Sequence, residues 1–195
     1  MGIKMQKVIK VGCCLTGSYC TFKRMLEVIC ELVNSGFEIF PMMSENAYKT
    51  DTRFGKAKDF VEEIEKITGK PVLAEIEKVE PIGPKKYFDV LLIAPCTGNT
   101  LSKLANGITD TAATMAAKAS LRNNIPVVIN LSTNDGLSGS AKNLGTLLNT
   151  KNVYFVPLSQ DDPIKKPTSL VADFGKIKDT LIKALNNEQI EPLIF

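Results

Sequence analysis

Apolar residues in this chain recur in two alternating rhythms. KVIKVGCC (Lys7 to Cys14) is a β-branched run that predicts a strand; TGS follows, and then Met25, Leu26, Ile29, Leu32 and Val33 fall at helical spacing up to Gly36. FEIFPMMS (Phe37 to Ser44) predicts the second strand and ENAYKTDTR a loop. Ala57, Val61, Ile64 and Ile67 mark one face of a charged helix stopped by Gly69. Lys70 to Lys86 holds three prolines and no long period, which predicts an irregular connection with at most one short helix. YFDVLLIA (Tyr87 to Ala94) is nearly all apolar, as a parallel strand covered on both faces must be, and it leads into PCTGNT. IPVVINL (Ile125 to Leu131) repeats the pattern with STNDGLSGS as its loop. NVYFVPL (Asn152 to Leu158) gives a further strand, SQDDPIKKP a polar loop, and Leu170, Phe174, Ile177, Leu181 and Leu185 a final helical stripe starting near Thr168.

Strands alternating with helices over the whole length predict an α/β fold, a three-layer doubly wound parallel sheet, in a single domain over residues 1–195. In such sheets ligands bind at the carboxyl ends of the strands. The polar and glycine-rich stretches fall there: Thr16, Gly17 and Ser18 after the first strand, Ser44 and Asn46 after the second, Pro95, Cys96, Thr97, Gly98, Asn99 and Thr100 after the third, and Ser132 to Ser140 after the fourth.

Composition narrows the chemistry. The 24 basic and 21 acidic residues leave a net charge of only +3, interspersed, which argues against a nucleic-acid partner. Neither a membrane-spanning run nor a secretory leader is recognisable, so the expected location is the cytoplasm. There is no histidine, which excludes histidine bases, Ser-His-Asp and Cys-His catalysis and histidine zinc sites. Five cysteines without a C-x-x-C pair argue against a disulfide framework or metal cluster. Cys30 reads as a small buried apolar residue; Cys96 reads equally as that or as part of a functional loop.

The first loop admits two readings. Gly17, Ser18 and the helix start behind them offer close backbone approach, a hydroxyl and free N–H groups to a phosphate, with Ser44 and Asn46 beside them. Equally, the segment is a plain strand-to-helix turn with Ser18 or Thr21 as N-cap. The spacing is neither G-x-G-x-x-G nor a P-loop. In the stretch from Ala94 to Lys118 two helical pieces meet at Asn106-Gly107, the second rich in Ala and Thr. Such small residues suit a flat ligand or a tightly packed internal helix. Thr97, Asn99, Gly107, Asp110 and Asn134 are the candidates for the far side of the same pocket. Asp110, Asp135 and Cys96 are the candidate proton carriers there, although Asp110 reads more simply as a helix cap and Asp135 as the residue closing the STND turn.

Long blocks carry a resemblance: TGSYCTF, TRFGKAKDFVEEIEKITG, EPIGPKKYFDVLLIAPCTGNTLSKLANGITD, MAAKASLRNNIPVVINLSTNDGL and QDDPIKKPTSLVADF, in this order over most of the chain. The sequence resembles the flavoprotein family that includes flavin-containing cysteine decarboxylases and flavin prenyltransferases, which implies a Rossmann-like or flavodoxin-like fold, bound FMN and a pocket shared within a homo-oligomer. The RFG, P-x-G-P, STND and QDDP-x-KKP-x-S blocks resemble the branch whose members serve as the B subunit of a two-subunit oxidoreductase. That branch implies oxidation of dihydrodipicolinate to dipicolinate (pyridine-2,6-dicarboxylate) during endospore formation, in the mother cell. The implied partner is an A subunit resembling a nicotinamide-dependent dehydrogenase and supplying NADP. On that reading Arg53, Lys56, Lys165 and Lys166 are candidates for the substrate carboxylates, the alternative being solvated surface charge. The departures count against decarboxylation: the family's histidine after the first strand is missing, only Asn134 of P-x-M-N survives, and no cysteine follows Cys96. A stand-alone FMN-dependent decarboxylase or prenyltransferase, and a non-catalytic scaffold subunit, are the alternatives.

Overall fold

The computed structural model describes residues 8–82 and 86–195; Lys7 of the first predicted strand and residues 83–85 of the predicted connection lie outside it. Five strands run parallel: β1 (Lys10–Leu15), β2 (Glu38–Met43), β3 (Val90–Cys96), β4 (Val127–Thr133) and β5 (Val153–Phe155). They lie in the order β2-β1-β3-β4, with β5 beside β4. Every residue of β3 is buried, as its unbroken apolar run requires of a central strand.

Among the described residues, eight α-helices with complete bounds connect and cover the strands: α1 (Phe22–Asn34), α2 (Glu45–Lys49), α3 (Ala57–Thr68), α4 (Ile76–Val79), α5 (Gly98–Ala105), α6 (Ala112–Arg122), α7 (Ala141–Leu148) and α8 (Ile177–Leu185). α1 buries Phe22, Met25, Val28, Ile29 and Leu32, each contributing about 1.5–3 kcal/mol. The Phe22 ring meets Phe60 of α3 edge-on at 5.1 Å. α6 buries Ala112, Ala113, Ala116 and Ala117 and packs against β3, the internal-helix reading of its small residues. No helix among the described residues is long and apolar enough to cross a membrane.

Four expectations need correction. The sheet is not wholly parallel: the predicted strand from Asn152 to Leu158 is cut after Phe155, and β6 (Leu158–Ser159) pairs antiparallel with β7 (Leu170–Ala172). β7 also pairs antiparallel with Ser132 and Thr133, so β5 and β7 take successive stretches of β4. The last helix therefore begins at Ile177, preceded by a 3₁₀ turn over Phe174–Lys176. Leu170 shares the helical spacing because a buried strand residue can fall in phase with the helix that follows it. The predicted ENAYKTDTR loop opens with α2, whose N-cap is Ser44. Cys30 is exposed, since it stands one residue, about 100° of helix, past buried Ile29.

Candidate functional site

The loops after β1, β3 and β4 are bound into one piece at the carboxyl edge of the sheet. Thr16 is 1% exposed; its Oγ1 donates to the Pro95 carbonyl (2.8 Å) and accepts from the Thr97 N–H (3.0 Å). Its own N–H also donates to the Pro95 carbonyl (3.1 Å), so the first and third loops cannot separate without losing three hydrogen bonds. Thr97 then caps α5, its hydroxyl accepting from the Thr100 N–H at 3.2 Å.

The fourth loop closes on Asp135. Its carboxylate accepts from the Thr133 hydroxyl (2.5 Å) and the Ser140 hydroxyl (2.9 Å), and these bonds, Thr133 first, hold the group below the usual carboxylate range. Gly98 packs against this cluster: a Cβ there would stand 2.5 Å from Thr133 Oγ1 and 2.9 Å from Asp135 Oδ1. Only glycine lets α5 start so close to the β4 loop.

In front of this floor lies an open cavity of about 550 Å³. Ser18 of the first loop and Ser132 at the end of β4 join their hydroxyls at 3.0 Å. Gly17, Thr97, Gly98, Thr133 and Asn134 continue the wall; Tyr19, Cys20, Arg53, Phe54 and Lys166 complete it. No Asp or Glu among the described residues lines it. Two cations, several hydroxyls and glycine backbone make a donor set for an anion. One pleat below Ser132, Asn130 is fully buried with neither amide atom hydrogen-bonded to any described residue.

The profile of the family described as Flavoprotein matches residues 3–186. The chain belongs to the Flavoprotein family. The chain is 47% identical over 185 residues to the B subunit of dipicolinate synthase of Bacillus subtilis (strain 168), covering 95% of this chain and 92% of that one. The crystal structure of the dipicolinate synthase B subunit from Bacillus halodurans C superimposes with a TM-score of 0.88, at 42% identity over 96% of both chains. The FMN-dependent cysteine decarboxylase SpaF shares the fold: TM-score 0.69, 23% identity, 90% of this chain and 97% of that one.

Seven of the residues expected from the sequence meet in the cavity: Gly17, Ser18, Thr97, Gly98, Asn134, Arg53 and Lys166. Thr16 and Pro95 form the tie behind it, and Cys96 and Thr100 are buried. The remainder go elsewhere. Ser44 Oγ caps α2, accepting from the Ala47 N–H at 3.4 Å, and the Asn46 carbonyl accepts from the Tyr19 hydroxyl at 3.0 Å; neither residue lines the cavity. Asn99, Lys56 and Lys165 are exposed and also stand outside the wall. Gly107, with φ +69°, borders a separate apolar groove of about 600 Å³ beside Leu104, Ile108 and Leu121. Asp110 borders a third cavity of about 230 Å³ beside Glu45 and Tyr48.

Of the three candidate proton carriers, the two aspartates have another job and the cysteine is buried. Asp110 does not cap α6; Thr111 does, in a reciprocal box with Thr114, because its hydroxyl sits one residue nearer the free N–H groups. The Asp110 carboxylate is instead bound by Lys103 (2.8 and 2.9 Å), which holds it below its ordinary range. Asp135 closes its turn as expected. Burial pushes the Cys96 thiol well up, and the Cys13 thiol to about 12, so both stay neutral. The expected side-chain cap of α1 is absent: the Thr21 hydroxyl donates to the Ser18 carbonyl at 2.8 Å, and the Ser18 hydroxyl turns to Ser132.

The wall residues that the sequence did not single out are Tyr19, Cys20 and Phe54; Ser132 and Thr133 open the polar stretch expected after the fourth strand. Tyr19 follows Ser18, Cys20 stands one position further on and Phe54 follows Arg53, so the signal was each loop as a whole.

Proposed function

We propose that this chain is the B subunit of a two-subunit oxidoreductase that converts dihydrodipicolinate to dipicolinate in a spore-forming bacterium, working with an A subunit. The observation that carries the proposal is the 47% identity to the B subunit of dipicolinate synthase over 95% of the chain. It is supported by a cavity in which two of the four carboxylate candidates, Arg53 and Lys166, stand with Ser18, Thr97 and Asn134.

The oxidation removes two hydrogens from a ring that becomes aromatic, so it needs a hydride acceptor and a base. FMN, when bound, supplies a two-electron acceptor. Gly17 and Ser18 would hold its phosphate, and Thr97, Gly98 and Asn134 the rest of the molecule, with Thr16 and Pro95 keeping those loops in register. NADP enters through the A subunit. The chain acts as a single domain, assembles as a homo-oligomer and works in the cytoplasm.

The base belongs to the partner or to solvent. Within this chain Asp135 is a depressed, doubly hydrogen-bonded carboxylate and hence a weak base, and Cys96 is a buried neutral thiol. What this subunit contributes is binding, orientation and a positive wall facing two carboxylates. The test is oxidation of dihydrodipicolinate by each subunit alone and by both, with and without FMN and NADP. The expected result is turnover only with both subunits; full activity of the A subunit alone would overturn the proposal.

A further inference from the structure

The cavity wall carries charge of one sign, but its two cations are held differently. Arg53 comes from the connection between α2 and α3, stands 4.9 Å over the Phe54 ring and has no ion pair among the described residues. Lys166 comes from the β6–β7 hairpin, where the Asp161 carboxylate binds its ammonium group. Asp161 is not part of the cavity wall. The hairpin tip has its own support: Asp162 Oδ1 accepts the N–H groups of Ile164 (3.1 Å) and Lys165 (2.9 Å), and its carbonyl accepts the N–H of Lys166 (2.7 Å). The Asp161–Lys166 pair is therefore not needed to shape the tip, and an exposed pair of this kind contributes little to stability.

We propose that Arg53 and Lys166 together clamp a dianion in this cavity, and that Asp161 is a built-in competitor which the ligand displaces from Lys166. Two cations brought from loops far apart in the chain, in a wall without a carboxylate among the described residues, match either two carboxylates on one ring or a phosphate. Displacement exchanges a solvated ion pair for one shared with a ligand that also reaches Arg53 and the Ser18 and Ser132 hydroxyls. Asp161 then sets a threshold: a monoanion, able to engage one cation only, gains too little to release Lys166. This deepens the proposed function and rests on it for the dicarboxylate alone.

Cys20 supplies a reporter. It is an exposed thiol in the cavity wall, whereas exposed Cys30 on α1 lies outside it, and Cys13, Cys14 and Cys96 are buried. The experiment titrates the full chain by calorimetry with pyridine-2,6-dicarboxylate, FMN, inorganic phosphate and riboflavin. In parallel, mass spectrometry follows iodoacetamide labelling of Cys20 against Cys30. A bound dianion is expected to slow labelling of Cys20 and leave Cys30 unchanged. Arg53→Gln and Lys166→Gln each weaken dianion binding by about tenfold or more, the loss of one charged hydrogen bond. Asp161→Asn tightens it by about threefold, the scale of an exposed ion pair. Riboflavin, which lacks the phosphate, responds to none of the three substitutions.

If FMN and phosphate follow this pattern and the dicarboxylate does not bind, the clamp stands and the substrate reading above falls. If no dianion protects Cys20, the clamp is overturned. It is equally overturned if Asp161→Asn weakens binding as the other two substitutions do, or if riboflavin binding falls with them.

Discussion

Two kinds of wall border the same cavity. The floor, made by the loops after β1, β3 and β4, is held by buried hydrogen bonds through Thr16, Pro95 and Thr97 and by the Asp135 cluster against Gly98. The rim, made by the loops that carry Arg53 and Lys166, is exposed, and the side chains of its two cations engage a ring and a solvated ion pair. Buried hydrogen bonds are costly to leave unmade, whereas exposed ion pairs exchange readily with water or a ligand. The floor fixes geometry and the rim discriminates by charge.

The sharpest way to break this contrast is to put a side chain where the floor has no room. Gly98→Val drives a Cβ into Thr133 Oγ1 and Asp135 Oδ1 and is expected to destabilise the fold by about 3 kcal/mol in denaturant unfolding. Gly17→Ala is its control. The nearest atom to a Cβ there is Tyr19 Cε2 at 3.6 Å, ordinary contact, so stability should stay near wild type. Equal losses in the two variants would erase the distinction.

Next in size is Thr16→Val, which keeps the shape and removes the hydroxyl. It leaves the Thr97 N–H without its acceptor in a buried place and should cost about 2 kcal/mol, read as a lower unfolding midpoint. An unchanged midpoint would mean that the tie between the first and third loops is dispensable.

The smallest effect is in the pH dependence. The Asp135 carboxyl is lower in the folded protein than its ordinary value of 3.8, because Thr133 and Ser140 donate to the ionised form. A depressed folded value gives stability that is present above the unfolded value and lost as pH falls through the folded one, so its contribution starts to fade at 3.8 and is gone below the folded value. Asp135→Asn should flatten that acid limb in thermal unfolding scans from pH 6 downward. An acid limb as steep as wild type would assign the loss to other carboxylates.

The same division governs what could be read from the sequence. The floor was legible because long apolar strands announce β1, β3 and β4, and polar residues directly after them must stand at the carboxyl edge; Thr16, Gly17, Ser18, Thr97 and Asn134 follow from that alone. The rim was half legible. Four cations competed for one role, and only the path of the chain separates Arg53 and Lys166 from Lys56 and Lys165. Leu170 was misread because a three-residue strand is too short to show a period of two and kept step with the helix stripe at Phe174, Ile177 and Leu181. Ser44 and Asn46 stand outside the cavity because a serine followed by an acidic Glu45 starts a helix as its N-cap, which turns the Ser44 hydroxyl to the Ala47 N–H. Gly107 and Asp110 follow α5 away from the edge and reach two other cavities.

Steady-state kinetics of the reconstituted two-subunit enzyme tests most directly whether this chain supplies recognition rather than proton transfer. With Asp135→Asn, subunit association and folding being checked on the same sample, kcat should stay within about threefold of wild type. A fall in kcat of about 10³ would place acid–base chemistry on the floor of this cavity and contradict the account.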